Sequence, residues 1–204
     1  MKQKRQIILA STSPRRKELL EKIGLVFTVD PSDYPEGLQS RVDSNKKLGI
    51  ILKPEAIAKS ISIGKAIIVA RKYPDALIIA ADTFGVLRGK IIGKPHTPDG
   101  AKEMLRLMSG KSHRVITGFT ILDSANNKLV TRTVETRVYF KKVSLEEIDN
   151  YVNTGEPMDK AGAYAIQGLG SIFVEKIVGD YYNVMGLPLN SLAESLKEFG
   201  IQIL

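Results

Sequence analysis

The feature that most constrains the fold is a short apolar run that turns abruptly polar and then basic. Residues 6–10 read QIILA, and residues 11–17 follow as STSPRRK. The apolar run predicts a buried strand, with Ser13 as the N-cap and Pro14 as the first residue of a helix that ends near Gly24.

The basic end of this segment favours an anionic ligand. The cations at 15–17 would lie at the positive end of the helix dipole, where each costs a few tenths of a kcal/mol, up to about one. Backbone N–H groups, the hydroxyls of residues 11–13 and a guanidinium are the donors that a phosphate or carboxylate site requires. The alternative is that these cations are solvated or paired with Glu18 and Glu21.

Composition predicts a soluble globular protein. The chain has 204 residues, of which 43% are hydrophobic and 25% charged, and it has no cysteine. We expect one domain over residues 1–204, without disulfides or sulfur-rich metal sites. The basic start at 1–5 resembles that of a signal peptide, but the apolar run after it is too short, so we expect a cytoplasmic protein. No run approaches the roughly 20 apolar residues of a membrane helix.

The net charge of +8 favours anionic partners. Nucleotides, nucleic acid and an acidic membrane surface all satisfy it, and charge alone does not choose among them.

The rest of the pattern predicts helices interleaved with strands. Further helices are expected at 54–71, 98–108, 144–154 and 188–199. Further strands are expected at 26–29, 76–81, 89–95, 115–122, 129–143, 171–178 and 181–185. The mixture of parallel and antiparallel pieces predicts an α/β fold with a mixed, curved β-sheet flanked by helices, arranged as two lobes around a cleft.

Asp82 is the strongest single candidate for chemistry. The buried strand over 76–81 is predicted to end at Asp82 and Thr83, and open α/β sheets bind ligands at the carboxyl ends of their strands. The alternative is that this pair caps a turn.

Cations from other segments strengthen the functional interpretation. Three other segments supply cations, namely Arg15, Arg16, Lys65 and Lys94, and a carboxylate among cations suits binding of a metal–polyphosphate complex. For each lysine the alternative is a solvated surface side chain.

A second region rich in small residues, 159–170 (DKAGAYAIQGLG), allows a backbone to approach a ligand closely. Tyr164 and Gln167 can stack on or hydrogen-bond a base. The alternative, which composition favours, is a tight structural turn with Tyr164 in the core.

Several common sites are excluded by spacing. There is no Gly-x-x-x-x-Gly-Lys-Ser/Thr loop, and Phe173 stands where a dinucleotide fingerprint after Gly168 needs its third glycine. There is no Gly-x-Ser-x-Gly elbow. The two isolated histidines, His96 and His113, do not make a zinc site and are interpreted as structural or surface residues.

Five ordered blocks carry a resemblance to a known family. They are STSPRRKELL at 11–20, ADT at 81–83, GKP at 93–95, SGKSHRVITG at 109–118 and DKAGAYAIQG at 159–168. Together they resemble the Maf family of nucleoside triphosphate pyrophosphatases over essentially the whole chain. The resemblance implies a homodimer with a nucleotide-binding cleft, in which a divalent cation (Mg²⁺ or Mn²⁺) assists hydrolysis of a triphosphate to the monophosphate and pyrophosphate. From the lack of a long apolar run and the few aromatic residues among the basic ones, we expect neither a membrane nor a nucleic acid as a partner.

The resemblance also implies roles for individual residues. Asp82 matches the catalytic acid or base, and Glu36 and Asp82 match the metal ligands. The positions that set base preference are Arg15, Thr83 and Gln167. The phosphate-binding positions are Ser11, Ser13, Arg16, Lys65 and Lys94.

The block at 159–168 is similar to the branch that acts on dTTP and UTP, so we expect pyrimidine triphosphates, including modified ones, as substrates in nucleotide-pool housecleaning. Departures from the family pattern occur at Asn45–Lys53, at Ile63-Gly64, at Tyr34-Pro35 and at Arg88.

Two other functions remain open at this point. The chain can be a non-catalytic nucleic-acid-binding or cell-division regulatory protein, although seven Tyr, six Phe and no Trp give few aromatics to interleave with its basic residues. It can also perform the same hydrolysis on purine or 7-methylguanosine triphosphates.

Overall fold

The computed structural model describes residues 5–34 and 53–204. Its strands are β1 (Gln6–Leu9), β2 (Thr28–Val29), β3 (Ala76–Leu87), β4 (Lys90–Ile92), β5 (Ser112–Asp123), β6 (Lys128–Phe140) and β7 (Val174–Val178). Its α-helices are α1 (Pro14–Lys22), α2 (Pro54–Ala70), α3 (Pro98–Met108), α4 (Leu145–Asn153), α5 (Tyr181–Met185) and α6 (Leu189–Lys197). Short 3₁₀ helices cover Glu156–Asp159, Ala161–Ala163 and Leu169–Phe173.

The described strands form one mixed seven-stranded sheet in the order β2-β1-β3-β5-β6-β7, with β4 paired to β3. β1 runs parallel to both β2 and β3. β4 is antiparallel to β3, and β7 is antiparallel to β6. With helices between the strands along the chain, the predicted α/β fold with a mixed sheet flanked by helices is confirmed.

The chain divides into two compact units. The first contains the described residues of 1–82, 117–133 and 189–204, and the second contains 83–116 and 134–188. Each has apolar residues of its own: Ile8, Ile78 and Val69 are among the buried residues of the first unit, and Leu105, Phe140 and Phe173 are among those of the second. The assignment of 1–204 as one domain stays a prediction.

The opening strand and helix form as predicted. Pro14 begins α1, Ser13 is the N-cap residue, and Gly24 adopts φ +72° just beyond the C-cap Ile23. Glycine tolerates this left-handed conformation because it has no Cβ. The strand ahead of the helix is buried over Ile7, Ile8 and Leu9.

β3 does not end where the sequence predicted. The strand continues through Asp82 and Thr83 to Leu87. Its extension pairs with β4 in the register Gly85↔Ile92, Val86↔Ile91 and Leu87↔Lys90. The hairpin therefore supplies backbone partners beyond the buried run, and Asp82 lies within a strand rather than at its carboxyl end.

The predicted strand over 181–185 is wrong, because this segment is the helix α5. The Asp180 carboxylate accepts hydrogen bonds from the backbone N–H groups of Tyr182 and Asn183, and Gly186 ends the helix with φ +119°. These caps outweigh the strand preference of the two tyrosines and the valine. The predicted strand at 171–178 begins only at Val174, after a 3₁₀ helix.

Helix α2 packs closely on strand β5 in the first unit. A Cβ placed on Gly118 would lie 2.4 Å from the carbonyl carbon of Ala58, so only glycine admits this approach. The Ser62 and Thr120 hydroxyls lie 2.8 Å apart at the same contact. The buried face of α2 includes Lys65.

None of the helices in the described part of the chain is long and apolar enough to cross a membrane.

Candidate active site

The segment after β1 is organised by the hydroxyl of Ser11. Its Oγ accepts a hydrogen bond from the backbone N–H of Ser13 at 3.2 Å and from Nη1 of Arg16 at 3.0 Å. Arg16 is only 9% exposed. The guanidinium therefore lies against the polar segment ahead of the helix instead of in solvent.

The neighbouring cations behave differently from Arg16. Lys17 pairs with Glu21 at 3.7 Å on the exposed side of α1, as the alternative interpretation proposed for this segment. Arg15 is partly buried. Ser13 occupies the N-cap position, yet its side chain makes no capping hydrogen bond.

Lys65 and Asp82 form an ion pair inside the first unit. Lys65 Nζ lies 2.9 Å from Asp82 Oδ1, and the two side chains are 7% and 17% exposed. Helix α2 brings the lysine and strand β3 brings the carboxylate, so two candidates separated by 17 positions in the chain meet.

A polar cavity of about 330 Å³ lies beside this pair. Its lining consists of Ala10, Ser11, Thr12, Ser32, Asp33, Tyr34 and Lys65. Lys65 connects the cavity to Asp82, and Ser11 connects it to Arg16. Hydroxyls and an ammonium are donors suited to phosphate oxygens. Two predicted phosphate-binding residues, Ser11 and Lys65, thus share one cavity.

The candidates of the second unit are Thr83, Lys94 and Gln167. The Thr83 hydroxyl donates to the Gly186 carbonyl oxygen at 3.2 Å. Lys94 and Gln167 are exposed. The backbone N–H of Gly162 donates to the carbonyl of Gly93 at 2.9 Å, so the turn that carries Lys94 is attached to the 159–170 block.

Tyr164 belongs to the core of the second unit, as the structural alternative for this block predicted. It is 6% exposed, and its hydroxyl lies 2.9 Å from His113 Nε2. Its ring meets His113 and Phe140 edge-on. Stacking of Tyr164 on a base is therefore the wrong interpretation, since the ring is already enclosed.

The histidines are structural or surface residues, as predicted. His113 is 3% exposed, and burial lowers its pKa to about 4, so the ring is neutral at pH 7. His96 is exposed. Burial also raises the pKa of the Tyr164 hydroxyl.

The sequence did not identify Glu156 as important, yet it organises the loop that carries Gln167. Its Oε1 accepts from the Tyr151 hydroxyl at 2.9 Å and from the backbone N–H of Gly170 at 3.1 Å. Its Oε2 accepts from the N–H of Leu169 at 3.0 Å. No sequence pattern identifies a single glutamate as the acceptor for a loop backbone, because the N–H groups that it binds are distant in sequence.

Glu156 and Tyr151 hold the loop at both ends. The Tyr151 hydroxyl also accepts from the backbone N–H of Ala165 at 3.2 Å. Burial raises the pKa of Glu156, but hydrogen bonds from Gly170, Leu169 and Tyr151 lower it more, so the net shift is downward. The carboxylate is thus the stable form at neutral pH, as its role of acceptor requires.

Carboxylates suitable for a metal ion are few in the described residues. Within 5–34 and 53–204, no group of three or more His, Cys, Asp or Glu side chains is placed to hold one. Glu36, the other predicted metal ligand, lies outside the described residues. Mg²⁺ is usually held by one or two carboxylates together with substrate phosphates, so Asp82 is compatible with such a site.

Comparison with known proteins supplies the chemical context for this geometry. The sequence profile of the Maf-like protein family matches residues 6–199.

Curated relatives match nearly the whole chain. A protein of Methanococcoides burtonii named dTTP/UTP pyrophosphatase is 49% identical over 201 residues, covering 98% of this chain and 97% of its own length. A protein of Bacillus cereus with the same name is 46% identical over 199 residues, covering 98% of each chain. A third, from Desulforamulus reducens, also bears that name and is 43% identical, covering 98% of this chain and 99% of its own.

Proposed function

Because the chain belongs to the Maf-like protein family, we propose that it hydrolyses dTTP and UTP to the nucleoside monophosphate and pyrophosphate. The observation that carries this proposal is the similarity to relatives named dTTP/UTP pyrophosphatase at 43% to 49% identity over almost their entire lengths. The reaction breaks the phosphoanhydride bond between the α- and β-phosphates. Water supplies the oxygen, and its proton passes to a base.

Asp82 is the residue that we assign to the attacking water. A carboxylate accepts a proton from water or orients it, and the ammonium of Lys65 lies 2.9 Å from this carboxylate. Most of the Asp82 side chain is withdrawn from solvent, which strengthens its interaction with charge that develops during the reaction.

Donors around the cavity are assigned to the phosphates. Lys65 and Ser11 line the cavity, and Arg16 reaches the Ser11 hydroxyl. Cleavage places additional negative charge on the leaving pyrophosphate, which cations and O–H donors stabilise. We assign Ser13 and Lys94 to the same group on the family resemblance.

Base preference is assigned to Arg15, Thr83 and Gln167 on the same resemblance. Gln167 offers both a donor and an acceptor, which suits the imide edge of thymine or uracil. The Thr83 hydroxyl donates to the Gly186 carbonyl oxygen, and a threonine hydroxyl is both a donor and an acceptor.

A divalent cation completes the proposal. Asp82, together with Glu36, would hold Mg²⁺ or Mn²⁺, which neutralises charge on the phosphates. We further propose that the enzyme works as a homodimer in the cytoplasm, where nucleoside triphosphates are made and used.

A substrate panel tests the proposal. The protein is incubated with Mg²⁺ and with each of dTTP, UTP, CTP, dATP, GTP and 7-methyl-GTP, and pyrophosphate and inorganic phosphate are measured separately. We expect pyrophosphate from dTTP and UTP, with kcat/KM at least about tenfold above the purine nucleotides. Release of phosphate alone, or a preference for 7-methyl-GTP, would contradict the proposal, as would tight oligonucleotide binding without any turnover.

A further inference from the structure

The ring of Tyr34 occupies the place of a side chain at position 64. A Cβ built on Gly64 would lie 2.2 Å from Cε2 of Tyr34, 2.3 Å from Cζ and 2.7 Å from the hydroxyl oxygen. No pair of nonbonded carbon atoms approaches this closely. Every residue other than glycine at position 64 would therefore displace the phenol end of Tyr34.

Tyr34 is also a wall of the polar cavity. It lines the cavity together with Ser11 and Lys65, and it is the one aromatic residue among the described lining residues. Gly64 immediately precedes Lys65 on α2. The tyrosine thus lies next to groups that we assign to the phosphates.

A local hydrogen bond orders the backbone just before Tyr34. The backbone N–H of Tyr34 donates to the Ser32 hydroxyl at 3.1 Å, which closes a short turn beside the cavity. Ser32 itself lines the cavity. Residues 32–34 therefore contribute three consecutive lining residues to the cavity.

We propose that Tyr34 binds the triphosphate of the substrate by donating its phenolic O–H to a phosphate oxygen. Gly64 permits this position of the ring because it has no side chain to occupy the same space. This inference rests on the proposed function and deepens it. A neutral O–H donor beside an ammonium and a serine hydroxyl matches an anionic oxygen acceptor.

The test compares Gly64→Ala, Tyr34→Phe, Tyr34→Ala and the double variant Tyr34→Ala/Gly64→Ala. Binding of a non-hydrolysable dTTP analogue is measured by calorimetry, and KM and kcat are measured with dTTP. We expect Gly64→Ala and Tyr34→Phe each to weaken analogue binding about tenfold, the loss typical of a hydrogen bond to a charged group. The double variant should bind no more weakly than Tyr34→Ala alone, since the alanine then displaces nothing.

Thermal unfolding separates this role from a structural one. The atoms that an alanine at 64 would meet are the far end of a movable side chain, and alanine stabilises helices relative to glycine. Gly64→Ala should therefore keep or raise the Tm while it weakens binding. Gly100→Ala, at a helical glycine of the second unit whose added Cβ meets Thr97 Oγ1 at 3.3 Å, is the matched control with unchanged binding.

The outcomes distinguish failure of the inference from failure of the proposed function. If the wild-type protein cleaves dTTP but Tyr34→Phe binds the analogue within twofold of wild type, the inference is wrong and the function stands. The inference is also wrong if Tyr34→Ala/Gly64→Ala loses as much analogue affinity as the product of the two single losses. If the wild-type protein neither binds the analogue nor releases pyrophosphate from any triphosphate, the proposed function is wrong and the inference falls with it.

Discussion

Lys65 Nζ lies 2.9 Å from Asp82 Oδ1, with both side chains mostly shielded from water at 7% and 17% exposure. A pair of this kind contributes little net stability as a pair, because desolvation offsets the attraction. Breaking it from one side is costly, however, since the remaining charge stays in a poorly solvated place. The pair thus places a carboxylate next to Lys65, which lines the cavity.

Removal of Lys65 is expected to destabilise the fold. Lys65→Met leaves the Asp82 carboxylate without its ammonium, and we expect the free energy of unfolding to fall by about 3 kcal/mol. Urea denaturation at neutral pH measures this change. The double variant Lys65→Met/Asp82→Asn, which removes both charges, should recover more than half of the loss. A single variant as stable as wild type would contradict the importance of the pair.

Ser13 is expected to contribute little to helix stability, although it occupies an N-cap position. Its side chain makes no capping hydrogen bond, whereas Thr97 at the start of α3 accepts one from Gly100 N–H at 3.1 Å. We expect Thr97→Ala to lower the free energy of unfolding by about 1 kcal/mol and Ser13→Ala to lower it by under about 0.5 kcal/mol. Equal losses in chemical denaturation would show that Ser13 caps α1 after all.

Stability is expected to fall in mild acid because of His113. Burial lowers its pKa in the folded protein from 6.5 to about 4. Between these two pH values, His113 is mostly protonated in the unfolded chain but mostly neutral in the folded protein. The stability attached to the neutral ring is therefore fully present above pH 6.5 and is lost progressively as the pH falls towards 4. From about pH 7.5 to about pH 5 the loss amounts to about 2 kcal/mol.

The variant His113→Gln isolates the contribution of His113 to the acid sensitivity, because an amide can still pair with the Tyr164 hydroxyl but does not titrate. Denaturation at the two pH values should show a smaller loss for His113→Gln than for wild type. His96→Gln, at the exposed histidine, serves as control and should follow wild type. If His113→Gln loses as much stability as wild type in acid, the acid sensitivity has another origin.

Glu156 is expected to order the loop that carries Gln167. Glu156→Gln replaces one acceptor oxygen with an amide N–H₂, so the N–H groups of Leu169 and Gly170 lose part of their pairing. We expect amide hydrogen exchange at these two residues to accelerate by about tenfold or more. Discrimination between dTTP and purine triphosphates should fall at the same time.

The control for this variant is Glu146→Gln, at an exposed acid in the first turn of α4. It should leave both exchange and substrate preference unchanged. Unaltered exchange at Leu169 and Gly170 in Glu156→Gln would rule out the ordering role.

Local sequence signals predicted much of the fold. Ser144 and Glu147 form the capping box that the sequence indicated, with both reciprocal hydrogen bonds present. Helix α3 runs from Pro98 to Met108 as predicted. These elements are determined by contacts within a few residues, and such contacts can be inferred from neighbours in the chain.

The errors occurred where distant partners decide the structure. β3 extends past Asp82 because β4 pairs with it. α5 forms because Asp180 and Gly186 cap a segment of strand-prone residues.

The candidate site shows the same division between local and long-range information. Asp82 and Lys65 were candidates from their residue types, but their contact joins helix α2 to strand β3 and is not visible in the local sequence of either. Tyr34 and Glu156 had no local pattern to identify them. Their roles follow from groups far away in sequence, Gly64 for the first and Gly170 for the second.

The most direct test of the account is Asp82→Asn. The substitution preserves size but removes the carboxylate that we assign to the attacking water, so we expect pyrophosphate release from dTTP with Mg²⁺ to fall by at least about a hundredfold. Binding of the non-hydrolysable dTTP analogue, measured without a divalent cation, should stay within about threefold of wild type, since the phosphate donors remain. Turnover by Asp82→Asn at the wild-type rate would contradict the account.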